Sequence, residues 1–380
     1  MTEPEIKTKT IEEFFANNNL QTVSIPILQP SEPFLDMAGE DLRRRIFMTE
    51  NENGDSLCLR PEFTIPVCIK HIKTGATTPR RYAYIGEVFR QSRSGENSFY
   101  QAGIEDLGDV DEATADSRCL YDALSLLKHI SGNPAYTVLL GDQNVFASVL
   151  QELGIVPTWQ KRLLRSFGNA RQLRDLLHIL AEPKSEQSLP ADLMKLVEAQ
   201  DEAALTNYIE GEMLDAGISP SAGRSPTEIA RRLLEKQLLS SVRLTKPVLE
   251  ALEEFLSIRL ALDEAEEALF EFGKKHELVS DHFLMPFKAR NRAFSNRGIA
   301  LESLQYDAAF GRPLDYYTGF VFEIRRDSDV MIGGGRYNRL MTMLGADRPI
   351  PAVGFSVWLD RLANGKANGI GVESREGKSL

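Results

Sequence analysis

Two stretches of strand-like alternation, RRYAYIGEVFRQ at 80–91 and FYQAGIEDLG at 99–108, are separated only by a short polar loop, SRSGENS. In the first stretch Tyr82, Tyr84 and Gly86 fall on one face and Ala83, Ile85 and Glu87 on the other. A polar connection this short joins antiparallel neighbours, because a parallel pair needs a crossover of a dozen or more residues. Further strand-like runs follow at ALESLQYDAAF, FVFEIRR and VMIGGG, with helical segments between. Hairpin strands with inserted helices imply an α+β class, an antiparallel sheet flanked by helices, rather than a doubly wound parallel sheet.

Other elements are legible around this hairpin. TIEEFFANNNL (10–20) reads as a short amphipathic helix with Thr10 as cap and Glu13 completing a capping box. VSIPIL reads as a strand that Pro26 confines to an edge or interface. SLCLRPEFTIPVCIKHI reads as strand into helix, ADSRCLYDALSLLKHI as helix, YTVLLGD as strand, and NVFASVLQELG as a helix closed by Gly154. From 158 to 275 the chain is rich in Leu, Glu, Arg, Lys and Gln and nearly free of strand patterns. The expected organisation is one mixed domain, 1–157 with 276–365, interrupted by a helical insertion at 158–275. GISPSAGRSP is a loop or hinge within the insertion, and 366–380 a flexible tail.

The net charge is −11, a weak argument against a nucleic-acid surface, since a local basic groove can sit on an acidic protein. MTEPEIKTKT is not a signal peptide, and no apolar run approaches the ~20 residues that span a bilayer, so a cytoplasmic protein without membrane contact is expected. Cys58, Cys68 and Cys119 are odd in number and form no CxxC pair, which argues against disulfides and a Cys-based zinc site. No metal or cofactor is expected.

Carboxylates and an amide, Glu62, Glu87, Gln101 and Glu105, sit in or beside strands that otherwise read as buried. Gln101 and Glu105 are four apart and share a strand face. Such a cluster needs a bound cation or donor, or internal salt bridges to Arg60, Arg81 and Arg90. DYYTGFVFEI reads as a core hairpin, and GGGRY as a strand end opening into a helix. In PAVGFSVWLDRL, Phe355, Trp358, Leu359 and Leu362 recur at helical spacing; Arg361 either snorkels or contacts a ligand.

Taken together these segments resemble the class II aminoacyl-tRNA synthetases, specifically the histidyl enzyme. VSIPILQPSEPFLDMAGE is similar to motif 1, RRYAYIGEVFRQ…YQAGIED to motif 2 and PAVGFSVWLDRL to motif 3. LRPEFT, PLDYYTGFVFE and GGRYNRL resemble stretches typical of the histidyl enzyme. The resemblance spans roughly 10–155 and 285–365 and implies a histidine-shaped pocket. In it Glu62, Thr64 and Gln101 hold the α-amino group and Arg312 the α-carboxylate, while Glu105 and Tyr317 face the imidazole, with Tyr316 beside them. It also implies a nucleotide site, with Arg90 at the ATP α-phosphate and Arg361 stacked on adenine.

Three departures bear on function. Only 362–380 follow Arg361, too little for the anticodon-binding domain. The motif 2 loop is short, with Ser92 in place of a glutamate. In motif 3, Trp358 replaces a glycine and Asp360 a glutamate, so an indole fills space the nucleotide needs. These features resemble the regulatory subunits that accompany short-form ATP phosphoribosyltransferase. In that family the catalytic partner condenses ATP with phosphoribosyl pyrophosphate at the start of histidine biosynthesis. The resemblance implies a non-catalytic subunit that activates its partner, contributes to histidine feedback, and forms dimers within a hetero-octamer. It implies no tRNA partner. The rival readings are an active histidyl-tRNA synthetase, a stand-alone amino-acid-activating paralogue, and a structural dimer with an empty pocket.

Overall fold

The computed structural model describes every residue except 1–2, 38, 94, 133–134, 182–189, 218–224, 242–243, 313, 315 and 364–380. The expected tail, and most of the GISPSAGRSP loop, lie outside the described residues. The chain divides into two compact units, 1–149 with 255–380, and 150–254.

Among the described residues the first unit is built on twelve strands: β1 (Gln21–Thr22), β2 (Leu28–Pro30), β3 (Met48–Glu50), β4 (Ser56–Leu59), β5 (Arg80–Phe89), β6 (Ser98–Leu107), β7 (Thr137–Asp142), β8 (Arg259–Ala261), β9 (Leu304–Asp307), β10 (Phe320–Arg326), β11 (Asp329–Arg336) and β12 (Ala352–Trp358). Nine form one sheet in the order β1-β5-β6-β12-β11-β10-β7-β9-β8, and β2-β4-β3 form a small second sheet. Among the described residues only β1·β5 and β7·β9 pair in parallel. The expected class is therefore the observed one, a largely antiparallel sheet with helices.

Register explains how the site is built. Tyr82, Tyr84 and Gly86 stand opposite Glu105, Gly103 and Gln101. Across the next ladder Glu105, Gly103 and Gln101 face Gly354, Ser356 and Trp358. Gly333 then pairs with Ser356 and with Glu323, and Gly335 with Gly354. Because partners opposite each other share a face, one side of the sheet carries Gln101, Glu105, Glu323 and Trp358 among glycines. A Cβ at Gly333 would lie 1.5 Å from Nη1 of Arg312, and one at Gly354 would lie 1.8 Å from Oε2 of Glu105. The glycines leave room for charged groups to lie on the sheet.

The other side is covered by the helix Glu112–Ser131, which packs on β6, β11 and β12 and is itself covered by the helix Asp281–Asn296. Arg336 at the end of β11 points that way and pairs with Asp116 at 2.6 Å. Arg290 pairs with Asp142 at 2.6 Å. Both arginines are almost fully buried, a setting in which charge is retained only when paired.

Within the second unit the described residues between 150 and 254 are helices and turns, with a small core of Val197, Leu205, Ile209 and Ala230. This unit is shorter than the expected 158–275 at its C-terminal end. Arg259–Ala261 pairs with β9 as the last strand of the large sheet, and three residues are too few to carry a strand signature in the sequence.

Three local expectations change. The first helix runs Glu3–Asn17, so Thr10 lies inside it rather than at its cap. VSIPIL is not a strand: β1 ends at Thr22 and β2 starts at Leu28. Ala352–Trp358 is a strand followed by the short helix Leu359–Ala363, so Phe355 and Trp358 do not share a helical face. A short apolar run fits both periods, and pairing with β6 and β11 decides it here.

Candidate functional site

A cavity of about 260 Å³ opens on the glycine-bearing face of the large sheet. One end is made where β4 leads into the helix Thr64–Lys73. The Glu62 carboxylate accepts hydrogen bonds from Thr64 N at 2.7 Å and Ile65 N at 2.9 Å, satisfying two of the amides a helix leaves open at its start. Thr64 Oγ1 donates to Glu105 at 2.7 Å, and the Tyr337 hydroxyl donates to the second oxygen of Glu105. Burial pushes Glu105 up to about 8 despite the bonds from Tyr337 and Thr64. It raises Glu62 as well, against the backbone amides and the nearby Arg90. Among the described residues neither carboxylate is ion-paired, so the salt bridges to Arg60, Arg81 and Arg90 are not what satisfies them. Arg60 donates to the Glu87 carbonyl, and Arg81 pairs with Asp106 and Asp122. Gln101 is almost fully buried and its Oε1 has no hydrogen-bond partner among the described residues.

The opposite end is cationic. Arg312 Nη1 lies 3.3 Å from Glu323 Oε1, while its Nε has no partner among the described residues. Burial disfavours the Arg312 charge, but Tyr317 and Glu323 outweigh it and its pKa is raised. The guanidinium carbons of Arg312 and Arg361 lie 5.7 and 5.0 Å from the centre of the Trp358 ring. Arg361, Arg90 and Arg45 each donate to one backbone carbonyl, those of Val330, Pro61 and Gln91. Tyr316 and Tyr317 line the wall between the two ends, their ring centroids 5.0 Å apart. Acceptors at one end and a guanidinium at the other match the ammonium and carboxylate of an amino acid.

The histidyl-tRNA synthetase family model matches residues 5–216 and 228–362. An ATP phosphoribosyltransferase regulatory subunit of Brucella anthropi is 55% identical over 346 residues, covering 90% of this chain and 92% of that protein. The chain belongs to the ATP phosphoribosyltransferase regulatory subunits. Solved structures show the same fold at low identity. A Bacillus halodurans protein described as an ATP phosphoribosyltransferase regulatory subunit/histidyl-tRNA synthetase has a TM-score of 0.63 at 19% identity, over 95% of this chain and 78% of that one. Histidyl-tRNA synthetase from Nostoc sp. PCC 7120 has a TM-score of 0.62 at 17% identity, over 95% and 72%.

In this regulatory-subunit chain the expected site residues fall largely in one place. Glu62, Thr64, Gln101, Arg312, Tyr316, Tyr317, Arg90, Trp358 and Arg361 all line the cavity. Glu105 does not. Its carboxylate accepts from Thr64 and Tyr337, which do line the cavity. The sequence reading missed Arg45, Glu323 and Tyr337, which also belong to the lining. Glu323 was findable as a charge in the middle of an otherwise apolar strand, whereas Arg45 sits in a run of three arginines that gives no hint which one turns inward. Among the described residues no cluster of His, Cys, Asp and Glu could hold a metal ion, and no helix is long and apolar enough to cross a membrane.

Proposed function

We propose that this chain is a non-catalytic subunit that activates a short-form ATP phosphoribosyltransferase catalytic subunit and makes it responsive to L-histidine held in the cavity. The observation that carries the reading is what the cavity keeps and what it has lost. It keeps buried polar groups with unused bonding capacity, Gln101 Oε1 and Arg312 Nε. It carries an indole at Trp358, where the synthetase motif has glycine. Its volume of about 260 Å³ lies below the ~300–1,000 Å³ usual for drug-sized ligands and suits an amino acid better than a nucleotide.

In this reading Glu62 and Gln101 accept from the α-ammonium. Thr64, whose hydroxyl proton is committed to Glu105, also presents lone pairs to it. Arg312 holds the carboxylate, and Tyr316 and Tyr317 flank the imidazole. Histidine then acts by differing in affinity between more and less active arrangements of the complex, a coupling of typically ~1–3 kcal/mol. Dimerisation within a hetero-oligomer, a cytoplasmic location and the absence of tRNA charging belong to the same reading.

The test mixes the purified chain with its short catalytic partner and follows phosphoribosyl-ATP formation with and without histidine. Activation by the native chain is expected, and Gln101→Ala is expected to weaken histidine feedback while sparing activation. Failure of the native chain to activate its partner would sink the assignment.

A further inference from the structure

We propose that Asp116 and Arg336, an ion pair on the far side of the large sheet, position one wall of the cavity and so set its affinity for histidine, a role that rests on the function proposed above. The wall in question is the segment 316–319, which lies outside every helix and strand. Its Tyr316 and Tyr317 line the cavity. An irregular segment takes its place from bonds to other parts of the chain. Those bonds come from 336–338, where β11 ends and the helix Asn338–Met343 begins. Thr318 N donates to the Arg336 carbonyl at 2.8 Å, and Asn338 N donates to Thr318 Oγ1 at 3.1 Å. Between these two residues, the Tyr337 ring meets that of Tyr316 edge-on, with centroids 5.9 Å apart.

Successive residues of an extended chain point to opposite faces, and 336–338 uses both. The Tyr337 hydroxyl donates to Glu105 on the cavity side. Arg336 turns the other way and is almost fully buried. Its Nε and Nη2 donate to Asp116 Oδ1 at 2.9 and 2.6 Å, Nη2 also to the Glu112 carbonyl at 2.9 Å, and Nη1 to Asn338 Oδ1 at 3.0 Å. Asn338 Nδ2 donates to the Glu112 carboxylate at 2.7 Å, and its Oδ1 accepts from Ala352 N at 3.0 Å. Glu112 and Asp116, one turn apart on the helix Glu112–Ser131, thus grip the residues that hold the wall. Gly319 presses on the stem of Arg336: a Cβ there would lie 3.6 Å from its Cδ.

The grip depends on charge. Burial raises Asp116 to about 6 against the opposing charges of Arg336 and Arg290. A buried pair that loses one charge leaves the other uncompensated. The Arg336 guanidinium then turns to other acceptors and carries with it the backbone that Thr318 is bonded to. The pair has room to part, because it borders a second cavity of about 220 Å³ rather than solid core. That cavity lies between the helices Glu112–Ser131, Gln143–Glu152 and Asp281–Asn296. What an imidazole meets at Tyr316 and Tyr317 is therefore decided in part by two residues that do not line its pocket.

Asp116→Asn keeps the shape and removes the charge, while Arg336→Lys keeps the charge and loses the planar fork. Calorimetric titration of the full chain with L-histidine is expected to show affinity about tenfold weaker in Asp116→Asn, toward the low end of couplings between sites. The loss in Arg336→Lys should be smaller than in Arg336→Gln; should the latter fail to fold, Asp116→Asn alone decides. Asp122→Asn is the control, since it lies on the same helix and its pair with Arg81 ties that helix to β5 and not to 336–338. It should lower the melting temperature by a similar amount yet leave histidine affinity within about twofold of native. Amide hydrogen exchange at Thr318 and Asn338, measured without histidine, reads the wall independently of any ligand. It should quicken at least about tenfold in Asp116→Asn and keep the native rate in Asp122→Asn. Native histidine affinity in Asp116→Asn would overturn the proposal. So would equal weakening by Asp122→Asn, which marks general loosening. A native chain that binds no histidine would count against the proposed function; faster exchange in Asp116→Asn would then still support the positioning pair, and unchanged exchange would overturn it as well.

Discussion

Gly333 and Gly354 lie on neighbouring strands of the same sheet face, yet the same change at each, glycine to alanine, should have opposite consequences. At Gly333 the three atoms nearest an added Cβ all belong to the Arg312 guanidinium, the first at 1.5 Å. That group ends a long flexible side chain and borders open cavity, so it can swing aside. The cost is a weakened Arg312–Glu323 pair, offset by the ~0.5–1 kcal/mol that alanine gains over glycine within a strand. A net change of about 1 kcal/mol or less is expected. Histidine affinity should fall roughly 10- to 150-fold, because the displaced guanidinium no longer meets the carboxylate and a hydrogen bond to a charged group is worth ~1.5–3 kcal/mol. At Gly354 the Cβ would meet Glu105 Oε2 at 1.8 Å and the backbone oxygen of Ile104 at 2.7 Å. Neither can retreat: Glu105 is pinned by Thr64 and Tyr337, and Ile104 is mid-strand. Overpacking of ~1–3 kcal/mol and one or two disrupted buried hydrogen bonds at ~1–3 kcal/mol each give a loss of about 2–9 kcal/mol. The assay is denaturant unfolding alongside histidine titration. Trp358 and Trp159 are the two tryptophans and fall in different units, so Trp159→Phe leaves a single emitter at the cavity. Wild-type histidine affinity in Gly333→Ala, or wild-type stability in Gly354→Ala, would refute the reasoning.

Two further outcomes are expected. Trp358→Gly removes the indole, so magnesium–ATP binding, expected to be undetectable by calorimetry in the native chain, should become measurable; tight binding by the native chain would show that the indole does not block. Glu105 is raised from 4.5 to about 8 by burial, so the folded state holds a proton that the unfolded state gives up between those values. Its contribution to stability is full below 4.5 and is lost as pH rises toward 8. The urea midpoint of the native chain should fall from pH 6 to pH 8 more steeply than that of Glu105→Gln, and parallel slopes in the two proteins would count against a shifted Glu105.

What the sequence disclosed, and what it withheld, follows from the range of the interactions. The β5–β6 hairpin is local: alternation and a short loop specify it, and with it the shared face of Gln101 and Glu105. LRPEFT announces the turn that brings Glu62 and Thr64 together, for the same reason. Trp358 lies in a strand where its spacing suggests a helix, because an apolar heptad suits strand and helix alike and only pairing with distant β6 and β11 settles it. The shared strand face puts Glu105 on the cavity side with Gln101, and the resemblance implies that it faces the imidazole, but a strand face does not tell what lies above a side chain. Thr64 and Tyr337, 41 and 232 residues away, cover it. Arg45 depends on where an irregular stretch lays one of three adjacent arginines, which no local pattern encodes.

The glycine-bearing floor of the cavity has a consequence for how such a protein can diversify. A surface made by main chain has no rotamers to exchange. At Gly333 and Gly354 substitution adds atoms where charged groups already lie, so the floor offers few viable single steps. New ligand preferences must be written on the walls instead, by Tyr316 and Tyr317, by Arg45, or by the residue at 358. One bulky replacement at such a wall position can withdraw a whole ligand while the floor, the ladder and the fold stay as they were. Ancestral chemistry can thus be switched off without being dismantled, and a catalytic scaffold becomes available as a sensor.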